Sequence, residues 1–238
     1  MKLADYRNHK GEPLYVIHFP GTGRAMFQDM IDSNLERSFT VSNDISIISI
    51  MNQSCLSDSP LKKQCDYNNI RLYNTAEDEY TWNNTLKINH ILTCLDQIST
   101  HYALLLDGRD VIITHNLDDS FITKFKCFGK PIVYNGTPTA FPHVAIEPLQ
   151  EILQVRGKQK FLNAGVCIGE VDALKQFYAE CKHISDNMID NQSEQLVVRL
   201  ARQNMKNLIA IDHDNQMLRI CHSYDTVIKE EDDKVILI

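Results

Sequence analysis

The sequence predicts an α/β protein built on a parallel sheet with helices packed on its faces. Three observations predict it. Short apolar runs alternate with helical patterns through the first half of the chain, the order expected of strand–helix–strand units. Neither an internal repeat nor a linker divides residues 1–238, so one domain is the economical reading. Of the 238 residues, 43% are hydrophobic, enough to bury one sizeable core.

The elements follow in order. "LYVIHF" (Leu14 to Phe19) reads as a short buried strand, broken by "PGTGR". Met26, Phe27, Met30, Ile31 and Leu35 then recur at helical spacing and predict one apolar face. "ISIISI" (Ile45 to Ile50) and "IRLY" (Ile70 to Tyr73) predict strands on either side of a polar excursion, "NQSCLSDSPLKKQCDYNN". Leu86, Ile88, Ile91, Leu92 and Leu95 mark the next helix, and "HYALLLDGRDVII" supplies the strand after it. A short helix near Leu117 to Phe125, the strand "PIVYN" and a loop, "GTPTAFPHVAIEP", come next. "NAGVCIG" predicts a strand; "VDALKQFYAECKHI" and "SEQLVVRLARQNM" predict helices. The tail reads as short strands at "LIAID", "MLRICH", "TVIK" and "KVILI".

Composition narrows the function. A net charge of -7 disfavours a general nucleic-acid coat, because phosphate binding needs a basic surface. A nucleotide remains possible if a metal or a few local cations neutralise its phosphates. The seven cysteines form no C-x-x-C pair, which argues against zinc fingers and for reduced thiols. No run approaches the ~20 apolar residues of a transmembrane segment. The first residues lack the apolar core of a signal peptide, so the expected location is cytoplasmic.

The strand "ALLL" runs into Asp107, Gly108, Arg109 and Asp110. Ligands of open α/β sheets bind at the carboxyl ends of strands. The intervening glycine permits a tight turn, so both carboxylates can converge. Such a pair repels itself unless a cation or a shared proton intervenes. Oxygen ligands suit Mn²⁺ or Mg²⁺, with water and phosphate oxygens completing the shell. Taken alone, the pair also reads as a turn cap at Asp107 and an ion pair from Asp110 to Arg109 or a lysine.

Two later segments, "FLNAGVCIG" (Phe161 to Gly169) and "SEQLVVRL" (Ser193 to Leu200), follow the acid pair in a specific order. With "DGRDVI" and "IAIDHDNQMLRI", the chain resembles the GT-A (Rossmann-like) glycosyltransferases, which implies a mixed, mainly parallel sheet flanked by helices. It looks most like the glycosyltransferase domain of the collagen lysyl hydroxylases and their small microbial relatives. The resemblance covers most of the chain from "LYVIHF" onward. It implies transfer of a hexose from UDP-glucose or UDP-galactose to a glycan, a lipid-linked sugar or a protein. It implies Asp107 and Asp110 on Mn²⁺ (or Mg²⁺), with Phe19, Pro20 and Gly21 lining the uridine. Lys87 would meet the nucleotide, and Asn163 and Gly165 the donor sugar. Glu194 and Gln195 match the acid and amide of the family's D-D-Q, next to the donor sugar and the acceptor.

The chain also departs from the pattern. Glu194 stands where the family has Asp. Phe141, in "TAFPH", stands near the family's tryptophan before proline as a replacement stacking surface. The family's third metal ligand comes from a C-terminal H-x-N-G segment, and "KVILI" ends about where that segment would begin. None of His18, His143, His213 or His222 matches it, so either the domain is truncated before that segment or the metal site is incomplete; if another residue completes it, His222 is the first suspect. Two rival functions stay open: a non-catalytic sugar-nucleotide or glycan binder, and a nucleotidyltransferase. The second lacks support from any basic, glycine-rich N-terminal signature.

Overall fold

The computed structural model describes residues 4–80, 82–83, 85–188, 193–224, 226–231 and 234–238. Strands β1 (Asp5–Asn8) and β2 (Val16–His18) lead into helices α1 (Thr22–Met26) and α2 (Gln28–Asp32). Then come β3 (Ile45–Ile48), α3 (Gln53–Leu56), α4 (Pro60–Tyr67), β4 (Leu72–Tyr73) and α5 (Leu86–Gln97). The middle holds β5 (Tyr102–Leu106), β6 (Val111–Ile113), α6 (Asp119–Lys126), β7 (Ile132–Thr137) and α7 (Leu149–Gln154). The rest is β8 (Phe161–Glu170), α8 (Val171–Asp186), α9 (Glu194–Asn204), β9 (Ile209–Asp212), β10 (Leu218–Ile220), β11 (Ile228–Glu231) and β12 (Lys234–Leu237).

Six strands form the main sheet in the order β4-β3-β5-β8-β7-β9. All run parallel to one another except β8, which is antiparallel to both β5 and β7. The fold is therefore α/β with a mixed, mostly parallel sheet flanked by helices, compatible with a Rossmann-like arrangement. Both faces of the sheet are covered, which is why β5 reads as an unbroken apolar run. Ala103 and Leu105 pack into one core with Ile88, Ile91 and Leu95 of α5, Leu174 and Phe177 of α8, and Val197 and Val198 of α9. Leu104 and Leu106 point the other way, onto Leu61 of α4 and Phe121 and Phe125 of α6. Truncating Leu104, which is fully buried, to alanine should cost about 2–5 kcal/mol.

Helices α5 and α9 each precede a strand of the parallel set, β5 and β9 respectively. Their N-termini therefore return to the carboxyl edge of the sheet. Strand β8, running the opposite way, starts at that same edge: Leu106 lies opposite Val166, and the Asp107 N–H donates to the Gly165 carbonyl at 2.8 Å.

Several expectations are corrected. The stretch "HYALLLDGRDVII" is two strands, not one. β6 leaves the main sheet and pairs antiparallel with β2, which pairs parallel with β10. The "polar excursion" holds two helices. The Asn52 side chain accepts from the Cys55 N–H, and the Ser59 hydroxyl accepts from the Lys62 N–H with Pro60 at the first helical position. The helix expected from Met26 to Leu35 is broken at Phe27; Phe27 and Ile31 are buried but Met26 is exposed. β1, which pairs parallel with β12, and α7 were not expected. No described helix is long and apolar enough to cross a membrane.

Candidate metal centre

The site is built where the carboxyl edge of the main sheet meets β2. Residue His18 lies opposite Val111 in the antiparallel β2–β6 pair, and the next N–H, that of Phe19, donates to the Asp110 carbonyl at 2.7 Å. This register sets an imidazole beside the turn that carries both acids. His18 Nε2 lies 3.7 Å from an Asp107 carboxylate oxygen and 3.5 Å from one of Asp110. One ligand atom from each of the three residues lies within 4.8 Å of the others, a spacing that fits one shared cation.

The donor set fits a divalent ion. Two carboxylates and one imidazole suit Mn²⁺ or another borderline cation. His18 is 2% exposed, and its Nδ1 is buried without a hydrogen-bond partner, so nothing on that side fixes its protonation. Burial disfavours the His18 cation, but Asp110 and then Asp107 outweigh it and raise its pKa. Gly165 makes the packing possible: a Cβ there would sit 2.3 Å from His18 Cε1 and 2.8 Å from an Asp107 oxygen.

A second ionic layer adjoins the first. Lys87, in the first turn of α5, reaches Asp107 at 2.6 Å and Glu194, in the first turn of α9, at 2.7 Å. Burial works against its charge, yet the two carboxylates win and hold the ammonium well above its usual range. Asp107 is affected in the opposite sense: burial would raise its pKa, but Lys87 and His18 bring it below normal. Glu194 is raised by burial, with Lys87 opposing and Asp107 adding to the rise. Lys87 thus bridges a candidate metal ligand to a buried acid.

The other expected residues divide by position. Asn163 Oδ1 accepts from the Gly165 N–H at 2.9 Å and braces the start of β8. Gln195 uses both ends of its amide on the same strand: Nε2 donates to the Leu162 carbonyl and Oε1 accepts from the Ala164 N–H, each at 2.6 Å. That makes Gln195 a positioning residue. Phe19 does not line the site; its side chain is fully buried against Phe27 in a core cluster. Pro20 and Gly21 do face a cleft, Gly21 with φ of 59° that favours glycine. Asp190, Asn191 and Gln192 of the segment before α9 lie outside the described residues.

Two cavities are lined by residues of the cluster or by their near neighbours in sequence. One, of about 350 Å³, is lined by Ile50, Met51, Trp82, Lys87 and the Asp107–Asp110 turn. The other, of about 660 Å³, is lined by Pro20, Gly21, Phe141, Asn163, Gln195 and Tyr224, among others. His222 belongs to this second cavity and not to the cluster: its Nε2 lies 3.1 Å from the Thr137 hydroxyl, and its ring stacks on Tyr224. The third candidate ligand is therefore His18, not His222. Sequence reasoning missed it because a histidine inside "YVIHF" reads as core; its position next to the Phe-Pro-Gly strand end was the available signal.

Fold and site together define an α/β protein with a histidine–aspartate–aspartate cluster at the strand ends. Comparison with protein-family models found no match, and comparison with curated proteins found no significant one.

Proposed function

We propose that the chain is a metal-dependent glycosyltransferase that moves a hexose from a UDP-sugar to a hydroxyl acceptor. The observation that carries this reading is the His18–Asp107–Asp110 cluster at the strand ends, whose two acids line one cavity, while Pro20 and Asn163, two residues from His18 and Gly165 respectively, line another. The smaller cavity suits a nucleoside: Trp82 and Met51 offer flat and adaptable apolar contact, and Lys87 and Arg109 supply positive charge near the phosphates. The larger suits sugars, with exposed Phe141 and Tyr224 for stacking and Asn163 for hydrogen bonding. In this reading Pro20 and Gly21 face the sugar side rather than the uridine.

His18, Asp107 and Asp110 would hold Mn²⁺ or Mg²⁺, which when bound would stabilise negative charge on the leaving diphosphate. Lys87 keeps Asp107 ionised and oriented. Glu194 holds Lys87 in place, and in this reading its carboxylate counters the positive charge that develops on the sugar. Gln195 braces the backbone at Leu162 and Ala164, on either side of Asn163.

Incubation with UDP-glucose or UDP-galactose, Mn²⁺ and an acceptor panel tests the reading. Release of UDP with a glycosylated product is expected. Release of pyrophosphate would indicate a nucleotidyltransferase, and binding without turnover would leave a sugar-nucleotide binder.

A further inference from the structure

A third cavity, of about 310 Å³, shares no lining residue with the two beside the candidate metal centre. It lies between the turn at residues 156–159 and the turn at 213–215, with Arg219 of β10 beneath. The turns are locked together. His213 Nδ1 lies 2.5 Å from the Gln159 carbonyl, and a Cβ on Gly157 would sit 2.5 Å from the His213 carbonyl. The Asp212 carboxylate accepts from the Gln216, Met217 and Leu218 N–H groups at 2.7 to 2.9 Å, which rigidifies the wall that leads into β10.

Arg219 is 5% exposed, its Nε is buried without a hydrogen-bond partner, and it forms no ion pair with a described residue. A buried cation without a counter-charge is costly, and an oxyanion removes that cost by accepting its forked N–H groups. Arg156 and Lys158 add two exposed positive charges at the rim, neither ion-paired with a described residue. Asp214, the one acidic side chain among the lining residues, faces Lys10 at 3.4 Å. Two buried acceptors, Gln159 Oε1 and Asn215 Oδ1, also lack partners and call for hydroxyl donors.

We propose that this cavity is a second binding site, for a small anionic carbohydrate. Its phosphate or carboxylate sits on Arg219 between Arg156 and Lys158, and its hydroxyls donate to Gln159 and Asn215. Neither a bare anion nor a neutral sugar satisfies both sets.

Calorimetric titration of the whole chain in EDTA with glucose 6-phosphate, glucuronate, glucose and inorganic phosphate tests it. Glucose 6-phosphate or glucuronate should bind at least tenfold more tightly than glucose or phosphate, and the tighter of the two names the anionic group. Arg219→Met should weaken that binding at least tenfold with an unchanged circular dichroism spectrum, while Asp110→Asn should leave it unaltered. If Arg219→Met does not fold, the exposed pair Arg156→Gln/Lys158→Gln should still weaken binding severalfold. Absence of binding by either acidic sugar would overturn the proposal. So would phosphate binding as tightly as they do, equal binding to a folded Arg219→Met, or loss of binding in Asp110→Asn.

Discussion

Asp110 carries the sharpest contrast between stability and function. It sits at a strand end, facing His18 and close to a second carboxylate, and contributes nothing to either core cluster of the main sheet. Asp110→Asn should leave the melting temperature close to that of the wild type. Under the proposed transfer reaction, loss of this candidate metal ligand should cost about 3 kcal/mol of leaving-group stabilisation, roughly a hundredfold in kcat. Steady-state kinetics alongside thermal denaturation measures both. Gly165→Ala is the converse case. The added methyl would collide with buried His18 and Asp107, so both stability and metal binding should fall. Overpacking of this kind costs about 1–3 kcal/mol, read as a lower midpoint in urea. The two acids were legible because a charged pair ending an apolar strand is conspicuous. His18 was not, since only the antiparallel β2–β6 register brings it to them, and that pairing joins residues about a hundred positions apart.

Helix α9 does more than cover the sheet. Its fully buried Arg199 grips Glu147 through two hydrogen bonds, at 2.8 and 2.6 Å, and donates to the Pro142 and Val144 carbonyls at 2.7 and 2.8 Å. This fastens the loop that presents Phe141 to the larger cavity. Arg199→Met would leave Glu147 buried and unpaired, a loss of about 3–5 kcal/mol. The pH dependence has a definite sign. Burial alone would raise the Glu147 pKa, but Arg199 brings it below the ordinary 4.5. The stabilisation is then complete above that value and is lost as pH falls through the depressed pKa. The gap in melting temperature between wild type and Arg199→Met should be widest near neutral pH and narrow below about 4.5. At this scale the sequence was readable for long amphipathic helices such as α5, α8 and α9. It was opaque for α3 and α4, whose polar composition hid caps at Asn52 and Ser59, and for β6, whose departure from the main sheet leaves no mark in periodicity.

Over the whole molecule, one sheet edge gathers nearly everything the sequence singled out. Strand β5 runs there into Asp107, the first half of β8 carries Asn163 and Gly165 there, and α5 and α9 bring Lys87 and Glu194 back to it. This convergence follows from parallel topology, in which helices that precede parallel strands start at the carboxyl edge. It explains why residues spread over more than a hundred positions could be grouped by motif order. Phe19 was misjudged because its place in the chain suggested the site while its side chain turned into the core. The proposed division into a nucleoside side and a sugar side was not readable, because it depends on Trp82 and Phe141 lining different cavities.

The proposed activity requires the acid–histidine cluster and its smaller cavity to bind a uridine nucleotide together with a divalent metal. The direct test is calorimetric titration of UDP, ADP and GDP into the protein with and without Mn²⁺, repeated with His18→Ala. UDP should bind more tightly than ADP or GDP, Mn²⁺ should strengthen UDP binding at least tenfold, and His18→Ala should remove most of that gain. Equal affinities for the three nucleotides, with no effect of Mn²⁺, would contradict the account.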